Sequence, residues 1–395
     1  MIRHASFPLL VTRTSSRLMM ALALASAASI AACSVTTDGA SSPAPAATTP
    51  PAADPQPEPE PTLDPKAVAC AAENAALQKG LDKAHATDTD AVLAVRNPAC
   101  GARVLTSGPS KIDGTRLHRI GSVTKTFISA VVLTLAKDGA LGLDDKLSKW
   151  VTDVPGGDGI TIRQLLDHSS GLFNYTDDAT FWKSAPSKVW KPRELVDVGV
   201  KNPVYFAPGS SWHYSNTNFI LLGMIAESAG KAKIGALVRT RVLAKAGLAA
   251  TFFDGEEPVT GTMAPAQDSN GKDATTVADP SWAWAAGAMV ATPADVALWI
   301  EKLGSGAFHD PAMQKELLTT VATDSAGLEY GLGIMVFGRQ ITAGAGPGIG
   351  HGGDIAGYHT QSFYFPEKKT TLVAIVDSDA ENPNDVSLEA LKVLF

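Results

Sequence analysis

The order of predicted secondary structure along residues 66–395 is the strongest constraint on the fold of this chain. Segments typical of strands lie near both ends, at 90–121 and 330–376, and the long stretch between them is dominated by apolar segments typical of helices. Strands gathered at the two ends do not alternate with helices as βαβ units do. The order therefore predicts an α+β fold, with an antiparallel β-sheet built from both chain ends, flanked by helices, and a mainly helical lobe inserted between them.

The individual elements follow from apolar periodicity and from glycine, proline and capping residues at their ends. The predicted helices are 66–85, 123–138, 161–168, 216–229, 292–303 and 384–394, and the predicted strands are 90–96, 102–106, 115–121, 330–336, 360–365 and 371–376.

Residues 1–32 have the pattern of an export signal. Three arginines and no acidic residue precede an apolar stretch that is too short to span a bilayer. The stretch ends at Ile30-Ala31-Ala32-Cys33, which resembles the lipobox of bacterial lipoproteins, with Cys33 as the lipidated first residue of the mature chain. An ordinary signal peptide with a chance cysteine is the alternative.

The next segment, 33–65, predicts a tether. Nine of the 25 prolines and five acidic residues lie between 34 and 65, with no lysine or arginine, so this segment cannot bury a core. We therefore expect three parts: a lipoprotein signal peptide (1–32), a lipidated cysteine with a Pro/Ala-rich tether (33–65) and one folded domain (66–395). We expect the mature protein to be exported and anchored by its lipid to the cell membrane, facing the periplasm or cell wall.

The three cysteines and the net charge indicate whether a disulfide, a metal or a nucleic-acid partner is to be expected. With Cys33 lipidated, Cys70 and Cys100 remain as a pair in an oxidising compartment, which favours a disulfide over two buried thiols. Neither has a histidine or cysteine at metal-ligand spacing, so we expect no metal. The net charge of −7 disfavours a nucleic-acid partner.

Several common catalytic motifs are absent from the sequence. There is no Gly-x-Ser-x-Gly, His-Glu-x-x-His, P-loop or dinucleotide fingerprint, so no cofactor is expected. Ser-x-x-Lys occurs three times, starting at Ser122, Ser228 and Ser269. Ser228 lies at a predicted helix end and Ser269 in a polar loop, whereas Ser122 follows a predicted strand and starts the most apolar helix.

That position suits a nucleophile at Ser122. Residues three apart on a helix share a face, so the Lys125 amine can reach the Ser122 hydroxyl. A helix N-terminus favours developing negative charge, and burial lowers a lysine pKa, so that a neutral amine can accept the serine proton. The alternative is a serine N-cap followed by an exposed lysine.

Two further sequence patterns contain residues that could act together with Ser122 and Lys125. Tyr214-Ser215-Asn216 precedes an apolar helix, where a phenol can relay a proton and an amide can hold substrate. His351-Gly352-Gly353 precedes a strand, and its glycines let a substrate backbone approach closely. The backbone N–H of Asp354 could act with that of Ser122 as a second oxyanion donor. A core tyrosine, an asparagine cap and a simple glycine turn are the structural alternatives.

Together, Ser122-x-x-Lys125, Tyr214-x-Asn216 and His351-x-Gly353 resemble the motif set of the penicillin-recognising serine hydrolases, in the branch of class C β-lactamases, soluble DD-peptidases and related esterases. The resemblance extends from about residue 86 to the end and implies a β-lactamase/transpeptidase-like fold. It implies that Ser122 is the acylated nucleophile, Lys125 its base and Tyr214 the proton shuttle. Asn216, His351 and Gly353 would then contact substrate, and Trp282 would lie beside it.

The resemblance also shows where this chain departs from the soluble DD-peptidases. The arginine and threonine that receive a peptide carboxylate there are replaced by Met335 and Gly352, and the nearest cation in sequence is Arg339. Asp354 adds negative charge beside the expected oxyanion hole, unless its side chain points away.

Three functions remain open from the sequence. The first is a DD-carboxypeptidase or related D-amino-acid peptidase acting on cell-wall peptides. The second is a carboxylesterase, amidase or β-lactamase on the same scaffold, and the third is a non-catalytic wall-binding lipoprotein. The expected partner is a small molecule or a peptidoglycan peptide, and the expected state is a monomer.

Overall fold

A computed structural model describes residues 64–86, 88–185, 188–276 and 279–395. The predicted signal peptide, Cys33 and the tether up to residue 63 lie outside the described residues. No helix in the described ranges has the length and apolar character needed to cross a membrane.

The described chain contains ten α-helices and twelve β-strands. The helices are α1 (Pro65–Ala84), α2 (Thr124–Lys137), α3 (Ile162–Leu166), α4 (Pro192–Val200), α5 (Asn216–Gly230), α6 (Ile234–Val238), α7 (Ala244–Ala246), α8 (Pro293–Gly304), α9 (Pro311–Leu317) and α10 (Pro383–Leu394). The strands are β1 (Ala91–Asn97), β2 (Gly101–Ser107), β3 (His118–Arg119), β4 (Thr251–Phe253), β5 (Met289–Ala291), β6 (Val321–Ala322), β7 (Leu328–Tyr330), β8 (Met335–Phe337), β9 (Gly348–Gly350), β10 (Gly352–Ile355), β11 (Tyr358–Phe365) and β12 (Thr370–Val376).

The predicted sheet of both chain ends is confirmed. Its order is β2-β1-β12-β11-β9-β8-β7-β6, with β10 paired to β11, and the named strand pairs are antiparallel. The N-terminal strand β1 lies directly beside the C-terminal strand β12, with Ala91 opposite Val376. The helices α2 to α9 lie in sequence between the two groups of strands, as the predicted order of elements requires.

Alternation along β1 explains how helices cover both faces of this sheet. Side chains alternate between faces with a period of two. Ala91, Leu93 and Val95 pack in the cluster that includes α1 and α10, whereas Val92 and Ala94 pack in the larger core with α2, α5 and α8. Both faces are therefore buried, and the sheet forms the middle layer of the domain.

Three details differ from the sequence predictions. The predicted strand 115–121 is shortened to the two residues of β3, because the chain turns at Gly121 into the 3₁₀ turn Gly121–Val123. The predicted strand 330–336 is split into β7 and β8, since Gly333 takes φ +82° in the turn between them. A second sheet, β3-β5-β4, was not predicted, and it supports the segment that leads to Ser122.

The predicted disulfide is present between Cys70 on α1 and Cys100 in the turn between β1 and β2. It closes a loop with a sequence separation of 30 residues. We expect the double variant Cys70→Ala/Cys100→Ala to lose about 3–4 kcal/mol of unfolding free energy, because the unfolded chain gains the entropy of the opened loop. Urea denaturation of the wild type with and without reductant, beside the variant, measures this. Cys33→Ala is the matched control, and an equal loss in that variant would contradict the assignment.

Candidate active site

Ser122 lies in the 3₁₀ turn that joins β3 to α2. Gly121 takes φ +47°, and a Cβ on it would lie 2.7 Å from the backbone nitrogen of Asp354, so only glycine fits between the two segments. The backbone N–H of Ile120 donates to Met289 at 3.1 Å, which ties the turn to the small sheet. The serine is thus held on a tight turn at the start of a buried helix.

Lys125 is placed against Ser122 by the first turn of α2. Its Nζ lies 2.9 Å from Ser122 Oγ and donates to the carbonyl oxygen of Ala286 at 2.6 Å. The side chain is fully buried, and this burial lowers the pKa of the amine well below its ordinary value, although the Asp354 charge opposes the shift. A neutral amine at this distance is able to accept the serine proton.

Tyr214 completes a compact group with these two residues. Its ring centroid lies 5.0 Å from Lys125 Nζ. Burial raises the pKa of the phenol, and the interaction with Ser122 opposes this shift without cancelling it, so the group stays protonated near neutral pH. The structure therefore brings together an alcohol, a neutral amine and a phenol able to relay a proton.

Asn216 lies at the start of α5, beside a short 3₁₀ turn. Its backbone N–H donates to Asn174 Oδ1 at 2.9 Å, and its side-chain nitrogen donates to Thr176 Oγ1 at 3.1 Å. The described hydrogen bonds of Lys125 go to Ser122 and Ala286 instead. Asn216 is half-buried, and its side-chain amide contacts Thr176 rather than the lysine.

His351 is fully buried, and its two ring nitrogens have partners. Nδ1 donates to the carbonyl oxygen of Gly352 at 2.5 Å, which leaves Nε2 to accept from the Tyr330 hydroxyl at 2.8 Å. Burial lowers the pKa of His351 to about 3, so the ring is neutral. Its ring centroid lies 6.4 Å from that of Tyr214, so the histidine packs near the tyrosine ring. Because the His351 ring is neutral, it offers no positive charge to a substrate.

Gly353 lies on β10 directly against the Ser122 turn. A Cβ there would come within 2.1 Å of the Ile120 carbonyl oxygen and 3.1 Å of the Ser122 nitrogen. This contact brings the backbone of Asp354 next to the serine. The Asp354 side chain is half exposed and pairs with His359 at 2.7 Å. Its position accounts for an acidic residue beside the expected oxyanion donors.

Trp282 belongs to an aromatic cluster on the Asn216 side of the site. Its ring centroid is 5.1 Å from that of Trp182 and 6.4 Å from that of Phe181, and its carbonyl oxygen accepts from the buried Tyr175 hydroxyl at 2.7 Å. Tyr175 precedes Thr176, the partner of Asn216. The half-buried tryptophan rings therefore form an apolar wall near the amide of Asn216.

Sequence reasoning missed several groups that shape the site. His168 is fully buried beneath Tyr214, with ring centroids 4.3 Å apart, and its Nδ1 accepts from the backbone of Ser215. Tyr330 fixes His351, and Ala286 holds Lys125 through a carbonyl group that no side-chain pattern can reveal.

The other predicted positions lie apart from this group. Ser228 with Lys231 and Ser269 with Lys272 are all exposed, which agrees with their structural interpretation. Met335 is fully buried in β8, and Arg339 pairs with Glu367 at the surface. Within the described ranges, no three His, Cys, Asp or Glu side chains are grouped as a metal site requires.

Comparison with known proteins agrees with this geometry. Residues 85–394 match the family described as Beta-lactamase. Penicillin-binding protein 4* of Bacillus subtilis strain 168 is 33% identical over 135 residues, which are 33% of this chain and 29% of that protein. The chain therefore spans less than a third of the length of this curated relative.

Two solved structures are similar over nearly their whole length. A D-stereospecific amidohydrolase from Streptomyces sp. has a TM-score of 0.71 and 30% identity, covering 79% of this chain and 96% of that chain. The D-amino acid amidase of Ochrobactrum anthropi SV3, complexed with L-phenylalanine, has a TM-score of 0.73 and 28% identity, covering 81% and 98%. With the match over residues 85–394, these similarities establish that the chain belongs to the Beta-lactamase family of serine hydrolases.

Proposed function

We propose that this protein is an exported hydrolase that cleaves amide bonds at D-amino-acid residues through an acyl-enzyme on Ser122. The observation that carries the proposal is the similarity, over 96% and 98% of their chains, to a D-stereospecific amidohydrolase and a D-amino acid amidase. The half-buried tryptophan wall near Asn216 provides an apolar surface for the side chain of such a residue.

In the proposed reaction, neutral Lys125 takes the Ser122 proton as Oγ attacks the carbonyl carbon of the substrate. The carbonyl oxygen gains negative charge and is stabilised by the backbone N–H groups of Ser122 and Asp354. Tyr214 passes a proton to the leaving amine as the carbon–nitrogen bond breaks. Water then attacks the ester at Ser122, which releases the acid and restores the serine hydroxyl.

Met335 favours an amidase over a carboxypeptidase. A DD-carboxypeptidase must bind the free carboxylate of its peptide, and burying that anion without a cationic partner is costly. The position where the resembled DD-peptidases have an arginine is occupied by a fully buried methionine, and Arg339 is paired with Glu367. We therefore propose a substrate whose leaving group carries no carboxylate.

DD-carboxypeptidase activity on cell-wall peptides is the second candidate. It is favoured by the 33% identity to Penicillin-binding protein 4*, over a third of the present chain. Export, lipidation at Cys33 and the tether are part of both proposals, and the Cys70–Cys100 disulfide supports an oxidising compartment.

Substrate pairs distinguish these candidates. With the full-length protein, we expect hydrolysis of D-phenylalanine amide at a kcat/KM about 100-fold above that of L-phenylalanine amide. We also expect acetyl-D-alanyl-D-alanine to be cleaved about tenfold more slowly than its C-terminal amide, which lacks the charge. Ser122→Ala is the control for contaminating activity. Faster cleavage of the free acid would favour the carboxypeptidase, and turnover of a p-nitrophenyl ester alone would overturn the amidase proposal.

A further inference from the structure

The hairpin formed by β10 and β11 (Gly352–Phe365) lies against the turn that carries Ser122. The Cβ positions on Gly353 and Gly121 would each clash with the other segment, at 2.1 Å and 2.7 Å. The backbones of β10 and the Ser122 turn are therefore in direct contact. A shift of the hairpin by a few tenths of an ångström would move the Asp354 N–H relative to that of Ser122.

His359 on β11 ties this hairpin to the segment that follows β12. It lies opposite Asp354 in the β10–β11 register. Its Nδ1 is 2.7 Å from Asp354 Oδ1, and its Nε2 is 3.2 Å from Asp379 Oδ1. Asp379 also accepts from the backbone N–H of Gly357 in the hairpin turn at 2.6 Å and donates its own N–H to Gln267 at 3.0 Å.

The two partners determine the protonation state that this geometry requires. An ionised carboxylate only accepts hydrogen bonds, so both ring nitrogens of His359 must donate. Only the imidazolium form has two N–H groups. The cation also neutralises Asp354, whose backbone N–H is the proposed second oxyanion donor.

We propose that His359 is a positioning residue, whose imidazolium holds β10 against the Ser122 turn and so aligns the Asp354 backbone N–H with the oxyanion. This inference rests on the proposed acyl-enzyme chemistry at Ser122. His359 acts through Asp354 and the hairpin and does not touch the reacting atoms.

The pairing of His359 with Asp354 and Asp379 has a defined pH dependence. Burial of His359 disfavours its cation, but the hydrogen bonds and charges of Asp354 on β10 and Asp379 after β12 outweigh this and raise its pKa to about 9. The imidazolium is therefore present at neutral pH and is lost as the pH rises through about 9. One carboxylate then loses its donor, and the negative charge of Asp354 is no longer compensated beside the oxyanion.

The test measures acylation of Ser122 by a fluorophosphonate, whose adduct places a phosphoryl oxygen in the oxyanion position, between pH 6 and pH 10.5. For the wild type we expect the rate constant to fall about tenfold with a midpoint near pH 9. His359→Gln, which is neutral throughout, is expected to be about tenfold slower at pH 7 with no alkaline decline. His359→Arg keeps the charge and N–H donors, so it should retain most of the rate at pH 7 and also lack the decline.

His309→Gln is the matched control, because His309 is a buried histidine between α8 and α9, outside the site. It should keep the alkaline decline of the wild type. An unshifted decline in His359→Gln, or a lower thermal midpoint with an unchanged rate profile, would overturn the role of His359. Absence of wild-type labelling at pH 7 would overturn the proposed acyl-enzyme chemistry and this inference with it, so the two failures are distinguishable.

Discussion

Replacing Ser122 with alanine is expected to lower hydrolysis of every substrate by at least about 10⁴-fold, because no other group in the site can form the acyl-enzyme. The fold should persist, since Ser122 is only partly buried and Lys125 keeps its hydrogen bond to Ala286. Incubation with a fluorescent penicillin and a fluorophosphonate, followed by intact-mass analysis, measures the covalent adduct directly.

The chain supplies its own matched controls for this experiment. Ser228→Ala and Ser269→Ala alter the two other Ser-x-x-Lys sequences, whose serines and lysines are exposed. Both variants should label and turn over like the wild type. If Ser228→Ala abolished labelling while Ser122→Ala did not, the assignment of the nucleophile would be wrong.

Replacing Lys125 with methionine is expected to lower kcat/KM by about 10²–10⁴-fold at pH 7, the usual contribution of a general base. Methionine fills a similar volume but has no lone pair to take the Ser122 proton. The wild type should also lose activity toward acidic pH as the buried amine becomes protonated, and the methionine variant should lack that acid limb. Lys231→Met, at the exposed end of α5, is the matched control.

The same substitution has an expected effect on stability. Burial lowers the pKa of Lys125 in the folded state, so the unfolded chain binds the proton more tightly. The contribution of this amine therefore becomes less favourable to folding as the pH falls from about 10.5 toward its folded pKa. Urea denaturation from pH 6 to pH 10 should show Lys125→Met gaining stability relative to the wild type as the pH is lowered. A constant difference across that range would contradict a neutral Lys125.

The sequence was enough to predict the sheet of both chain ends and to bring Ser122, Lys125 and Tyr214 to one place. The Ser122–Lys125 pair could be predicted because helix spacing is a local property of the chain. Tyr214, about 90 residues away, was joined to this pair by the resemblance of the motif set to a known family. The split of the predicted strand 330–336 was missed because a left-handed glycine at 333 reverses the chain there. A run of strand-forming residues does not reveal such a turn.

Other parts of the site depend on contacts between residues far apart in sequence. The state of His351 depends on a hydroxyl from Tyr330, and the role of Asp354 depends on His359 and Asp379. The sequence alone indicated an unfavourable carboxylate beside the expected oxyanion donors, whereas the structure pairs this carboxylate with His359. The pairing of Asp354 with His359 becomes visible only when the register of β10 and β11 is known.

The adjacency of β1 and β12 has a consequence for the synthesis of this protein. Ala91 is paired with Val376 at one end of the two strands and Arg96 with Thr371 at the other. The first strand of the sheet can therefore pair on this side only after the last strand has been synthesised. A chain still emerging from the ribosome has no partner for β1 on that side until nearly all of it has been made. Loop closure over such a separation is slow, which keeps the growing chain unfolded for longer. The export proposed for this chain would use that state, because a secretion channel threads extended polypeptide.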